Sequence, residues 1–169
     1  LWSNRAFKER DFFNIDHSTV FMGILIHEAF DDEIVNGVAI TKNLYRNYQF
    51  GFVINIQKGE EEVVSPKAGL VCEQVVSYMN NPNADFYNIN RSADWISFSS
   101  FKSEGSLLTS EELFQLTKQL EIIKKYFYDL YKIWPKKEYE DFGMDVEFKL
   151  IEKEGKRQFI FKQARPYNL

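Results

Sequence analysis

Asp145-Val146-Glu147-Phe148-Lys149-Leu150-Ile151-Glu152, a turn through Glu154-Gly155-Lys156, and Gln158-Phe159-Ile160-Phe161-Lys162-Gln163-Ala164-Arg165 form the stretch that decides the architecture. Alternation in the first arm sets Asp145, Glu147 and Lys149 on one face and Val146, Phe148 and Leu150 on the other. The second arm groups Phe159, Phe161, Gln163 and Arg165 by the same rule. Two such arms around a glycine-containing turn predict an antiparallel hairpin. Its register has two solutions. An odd-numbered loop centred on Gly155 sets Glu147 opposite Gln163 and Asp145 opposite Arg165, whereas a two-residue Glu154-Gly155 turn sets Glu147 opposite Lys162. In the second case Gln163 faces away from Glu147 unless a bulge restores the parity.

Working outward, Thr109 with Glu112 three positions on is a capping box. Leu113, Leu116, Leu120, Ile123, Phe127 and Leu130 follow at spacings of three and four, and Pro135 bars continuation past Trp134. This predicts one long amphipathic helix packed on a sheet. Further strands are expected at Phe21 to Ile26, Gly37 to Ile40, Phe52 to Ile56 and Asp94 to Phe101, and a helix over Trp2 to Phe13. Asn80-Asn81-Pro82-Asn83 marks a loop. The fold class is α+β, mainly antiparallel, and the 169 residues are expected to form a single domain without internal repeats.

Hydrophobic residues at 44% and a net charge of −4 argue for a globular chain and against nucleic acid as a partner. No apolar run reaches the length of a membrane span, and no secretory leader is visible, so a soluble cytoplasmic protein with no membrane partner is expected. The single cysteine, Cys72, has no internal disulfide partner and suits a reducing compartment; an inert thiol beside a helix is expected there. The chain starts without Met and stops just after a strand-like segment, so both ends read as cuts through a longer polypeptide.

The polar face of the hairpin has two readings. Carboxylates and an amide beside a guanidinium suit Mg²⁺ and a polyphosphate, since Mg²⁺ takes hard oxygen ligands and Arg neutralises phosphate. A solvated hairpin face with a surface ion pair fits the same spacing. His17 and His27 lie in no phosphoryl-carrier motif, and a structural role is expected for His27. Tyr126, Phe127, Tyr128 and Tyr131 read as core and edge of the long helix rather than a stacking platform.

Asp145-Val146-Glu147-Phe148 followed by Lys162-Gln163-Ala164-Arg165-Pro166 resembles the D-[IV]-E-[FW] … Q-[AT]-R-P signature of the phosphoenolpyruvate synthase and pyruvate phosphate dikinase family. Asn36-Gly37-Val38-Ala39-Ile40-Thr41-Lys42-Asn43 resembles that family's G-V-A-F-T-R-N strand, and Ile54-Asn55-Ile56-Gln57-Lys58-Gly59-Glu60 its I-N-A-Q-x-G-E segment. The resemblance spans nearly the whole chain, weakest over residues 65 to 105, and implies the C-terminal half of an ATP-grasp nucleotide-binding (PEP/pyruvate-binding) domain. It implies an ATP- and Mg-dependent phosphotransferase, a kinase that passes a phosphoryl group from ATP to a histidine on another domain and on to pyruvate or a related acceptor. Implied partners are ATP, the other grasp half and the phosphohistidine domain, so the isolated fragment is expected to be inactive. Glu147 and Gln163 would bind the metal, Arg165 and Glu147 would be catalytic, and Gly23, Leu25, Thr41, Gln57, Glu60 and Asp145 would contact nucleotide. Met22 to Leu25 falls where the adenine-contacting hinge is expected. The chain departs from the pattern at Lys42 (Arg in many relatives), Gly23 (Gln) and Leu44 (Pro). The alternative is a degenerate, non-catalytic nucleotide-sensing or interaction module.

Overall fold

The computed structural model describes residues 2–24, 26, 33–46, 49–59, 61, 63, 66–78, 92–101 and 105–167. Its contacts group the chain into two units, residues 1–30 and 31–169, where a single domain was expected from length. In the first unit, helix α1 (Asn4–Phe12) is capped by Ser3, whose Oγ accepts from the Ala6 amide. His17 stacks on Phe7 with ring centroids 4.0 Å apart. Its Nδ1 accepts from Arg10 Nε at 2.9 Å, and its Nε2 lies 2.9 Å from Asp11 Oδ1. Both ring nitrogens are therefore engaged in structure. The described residues of the Phe21 to Ile26 run form no strand. Phe21, Met22, Ile24 and Ile26 are 62–89% exposed, and apolar sequence without a ladder partner does not make a strand.

Among the described residues, the second unit is a six-stranded antiparallel sheet under one long helix, an α+β arrangement. The strands are β1 (Glu33–Ile40), β2 (Gly51–Lys58), β3 (Glu73–Tyr78), β4 (Ala93–Ser97), β5 (Gly143–Lys153) and β6 (Lys156–Tyr167). Their spatial order is β4-β3-β2-β1-β5-β6, so helix α2 (Ser110–Leu130) carries the chain from the β4 edge across to β5, next to the opposite edge. The capping box at Thr109 and Glu112 forms as expected. The helix stops at Leu130, four residues short of the limit set by Pro135, with Tyr131 as cap and Lys132 at φ 50°. Strand β3 escaped the sequence reading, and Cys72 lies at its start rather than beside a helix, donating from Sγ to Ile56 O at 3.1 Å.

Val35 and Ala39 of β1, Phe52, Ile54 and Ile56 of β2, and Met144, Val146, Phe148 and Leu150 of β5 face Leu113, Leu116 and Leu120 of α2. Gly37 belongs to this face because Phe148 lies opposite it. A Cβ at Gly37 would overlap the Phe148 ring, 2.7 Å from Cε1 and 2.8 Å from Cε2. Beyond Leu120 the buried stripe of α2 turns polar. Glu121 and Lys124 are buried, while Leu130, expected in the stripe, is 53% exposed. Lys124 Nζ donates to Thr41 O at 3.0 Å and sits 4.6 Å from the Tyr139 ring centroid. The Tyr139 hydroxyl donates to Glu121 Oε1 at 2.6 Å. Burial pushes Lys124 down to about 8 and the Glu121 carboxyl and Tyr139 hydroxyl up.

Two outcomes follow from this packing. Gly37→Ala should cost about 1–3 kcal/mol by denaturant unfolding, the range for overpacking, and adding Phe148→Leu should return part of that loss; strictly additive losses would show that the ring does not fill the glycine gap. Lys124 titrates near its ordinary 10.5 when unfolded and near 8 when folded. Above pH 8 the unfolded chain therefore holds the extra proton, and stability should rise with pH by up to about 1.4 kcal/mol per unit. Tyr139 acts oppositely above its ordinary value of 10.0, which confines the rise to pH 8–10. Melting temperature against pH should show this rise in the wild type and lose it in Lys124→Met.

Candidate functional site

The β5–β6 hairpin turns on two residues, Glu154 at φ 54° and Gly155 at φ 71°, with Lys153 paired to Lys156. Positive φ at both central positions matches the right-handed twist of the flanking strands. Pairing continues through Leu150 with Phe159, Lys149 with Ile160 and Phe148 with Phe161, and then shifts: Glu147 faces Gln163, Val146 faces Ala164 and Asp145 faces Arg165. Lys162 is the extra residue, a β-bulge. The odd-numbered loop is thus overturned, while the Glu147–Gln163 and Asp145–Arg165 oppositions it was meant to give are restored by the bulge. The bulge also overturns the grouping of Phe159 and Phe161 with Gln163 and Arg165. The two phenylalanines pack on the core, and the glutamine and arginine share the opposite face with Asp145 and Glu147.

Arg165 donates from Nε at 2.8 Å and Nη2 at 2.7 Å to the same oxygen, Asp145 Oδ2. That hydrogen bonding raises the already high pKa of the guanidinium. Asp145 Oδ1 is buried and has no hydrogen-bond partner. A carboxylate oxygen left without a donor costs about 1–3 kcal/mol, a cost a bound cation would offset. Lys149, next along the face, pairs with Glu33.

Across the ladder from Glu147 lies Val38, and across from Val38 lies Asn55. Asn55 Oδ1 accepts from Gln74 Nε2 at 2.6 Å, and Gln74 Oε1 accepts from the Tyr45 hydroxyl at 2.5 Å. The open face thus carries a polar chain from β3 toward the hairpin. Alternation in Phe52 to Ile56 could have placed Asn55 there. Gln74 lies in the unrecognised β3 and Tyr45 in a loop, and no periodic signal marks either.

Thr41 is fully buried; its Oγ1 accepts from Met144 N at 2.8 Å and its amide donates to Met144 O at 2.9 Å. Gln57 is also fully buried, its Oε1 accepting from Ser99 Oγ at 2.9 Å and its Nε2 donating to Val71 O at 3.4 Å. Both side chains are committed to backbone and core partners. Gly23 lies in the residue 1–30 unit with open space where a Cβ would stand. Leu25, Glu60 and His27 lie outside the described residues. Among the described residues no group of three or more His, Cys, Asp or Glu could hold a metal, and no helix is long and apolar enough to cross a membrane. A Mg²⁺ site here would combine the hairpin carboxylates with the Gln163 amide oxygen and with oxygens from a bound ligand.

Neither the protein-family models nor the curated proteins contain a match to this chain.

Thr41→Val keeps the shape of the side chain but leaves the buried Met144 amide without an acceptor. A loss of about 1–3 kcal/mol in guanidinium unfolding is expected. An unchanged midpoint would show that the hydroxyl is free for a ligand.

Proposed function

We propose that the open face of the β5–β6 hairpin is the metal- and phosphate-binding part of an ATP-grasp-type phosphotransferase site. The observation that carries this reading is the bulge at Lys162, which brings Glu147, Gln163, Asp145 and Arg165 to one face, beside a buried Asp145 oxygen that lacks a donor. The oxygen-rich donor set fits a hard divalent cation: Glu147 and Gln163 would hold Mg²⁺, with Asp145 at its side. When bound, Mg²⁺ supplies positive charge that offsets the polyphosphate. Arg165 is 62% exposed at its side chain and oriented by Asp145, so it can neutralise charge on the phosphoryl group being transferred. Positioning and charge compensation supply most of the catalysis of phosphoryl transfer, and strands hold such groups more rigidly than loops. The acceptor histidine and the basic half of the grasp would come from segments outside this chain.

A non-catalytic nucleotide-binding module is favoured by one feature: Arg165 already gives two donors to a single Asp145 oxygen, which leaves fewer for phosphate.

Mn²⁺ with ATP, added to isotopically labelled protein, should broaden the amide signals of Asp145, Glu147, Gln163 and Arg165 selectively. Glu147→Gln should remove that broadening and leave the melting temperature unchanged, because Glu147 points away from the core. Affinity should be weaker than about 1 μM, roughly −8 kcal/mol, since the face carries two carboxylates and its Arg165 is already paired with Asp145. Broadening centred elsewhere, or retained in full by the variant, would sink the assignment.

A further inference from the structure

Where β1 ends and β2 begins, Lys42, Asn43, Arg46, Gln49, Phe50 and Gly51 line a cleft of about 220 Å³, completed by Lys124 and Glu140. Three of these eight residues are cationic and one is anionic, a local excess of two positive charges in a chain whose net charge is −4. Lys124, at 1% exposure, belongs to this lining, and its ammonium makes one hydrogen bond, to Thr41 O, where it could donate three. No carboxylate oxygen of the described residues lies within ion-pair distance of it; what surrounds it is the rings of Tyr139 and Phe52. Such a buried cation is costly unless an anion reaches it. Arg46 has a single weak side-chain partner, Gln49 Oε1 at 3.4 Å. Lys42 is tied to Asp141 at 3.1 Å, which fixes its position on the rim.

We propose that this cleft binds a phosphate group, with Lys124 as the buried cation at its base and Arg46 and Lys42 as the donors at its rim. A tetrahedral oxyanion offers enough oxygens for the unmet Lys124 donors, the guanidinium fork of Arg46 and the side-chain amide of Gln49 together, while Asn43 shapes the loop, its Nδ2 donating to Gln49 O at 3.1 Å and its Oδ1 accepting from the Tyr45 and Arg46 amides. All of these residues lie in the 31–169 unit. The cleft shares no side chain with the hairpin face, so the proposal stands whether or not that face binds nucleotide. The groups that set the charge of Lys124 are Glu121 on its own helix, Glu140 and Asp141, which favour the ammonium, and Lys42, which opposes it. Burial is the largest influence and brings Lys124 down to about 8, so a bound anion gains a charged partner at neutral pH and loses it in alkali.

The test titrates inorganic phosphate, and separately sulfate, into labelled protein near pH 7 while amide shifts are followed. Both anions should give saturable shifts at Arg46, Gln49 and Gly51, reaching half-saturation at about millimolar concentration. Arg46→Gln should weaken binding about fivefold or more, and Lys124→Met should abolish it. The Arg46 variant lies on an exposed loop, so its result does not depend on the tolerance of the core at Lys124. Sulfate keeps its charge across the titration range, and its affinity should fall between pH 7 and 9. Lys156→Gln, at the exposed hairpin turn and outside both sites, should leave phosphate binding unchanged. An ATP arm separates the sources: shifts at the cleft with phosphate but not with ATP identify free phosphate as the ligand, and shifts with both identify the phosphate of a nucleotide. Absence of saturable shifts, wild-type affinity in both cleft variants, or loss of binding in Lys156→Gln would overturn the proposal.

Discussion

Lys162 has no partner across the β5–β6 ladder, and the chemistry of the sheet depends on that single unpaired residue. The Glu154-Gly155 turn fixes the parity beside it, sending Phe159 and Phe161 to the core with Phe148. Carried on without interruption, the same register would set Gln163 opposite Val146 and Arg165 opposite Met144, both fully buried. A guanidinium and an amide would then enter the apolar layer beneath α2, at a cost of several kcal/mol for unpaired polar groups. The extra residue avoids this. It lets one strand serve the core at one end and a charged surface at the other, and only the charged end carries the motif residues.

Strand β1 does comparable work at the centre of the sheet. It is hydrogen-bonded to β2 on one side and β5 on the other, so its residues fix which polar groups of distant sequence segments share a row. Val38 is the spacer between Asn55 and Glu147, and Ile40 holds the corresponding place next to Asp145. On the other face Gly37 makes room for the Phe148 ring, which in turn contacts Phe159 at 5.9 Å between centroids. The glycine is therefore part of how the hairpin is seated. Removing its side chain from the core lets the aromatic that anchors the hairpin cross over β1.

The hairpin, the capped helix and the α+β class were legible because their signals are local: alternation, a glycine turn, a capping box. Strand β3 was not, because Glu73-Gln74-Val75-Val76-Ser77-Tyr78 puts polar residues on both faces. Glu73 is fully buried, and its carboxylate accepts from Ser106 Oγ, from Leu107 N at 2.8 Å and from Trp95 Nε1 at 3.2 Å. That tertiary pairing overrides the hydrophobic pattern, and its partners lie more than twenty positions along the chain. The same logic explains the helix, where the apolar period passes through Ile123 and Phe127 while the buried stripe also takes in Glu121 and Lys124. Among the expected site residues, the hairpin quartet followed from alternation once the bulge was allowed. The roles of Thr41 and Gln57 did not, since a motif letter does not tell whether a side chain faces a ligand or a neighbouring backbone.

Thr41 joins the two faces of the sheet. Its carbonyl accepts the Lys124 ammonium from the helix layer, while its amide and hydroxyl clamp Met144, the residue just before Asp145. Ile40, just before Thr41, lies opposite Asp145. The start of β5 is thus held by paired backbone groups and a buried hydroxyl, and Asp145 is held in turn for Arg165. A lysine placed in that clamp without a carboxylate partner costs stability, so Lys124 weakens the core at the point where Thr41 fastens it. The carboxylate pair on the open face and the basic cleft on the helix side therefore hang from one buried threonine, and the rigidity of each rests on the same few backbone hydrogen bonds.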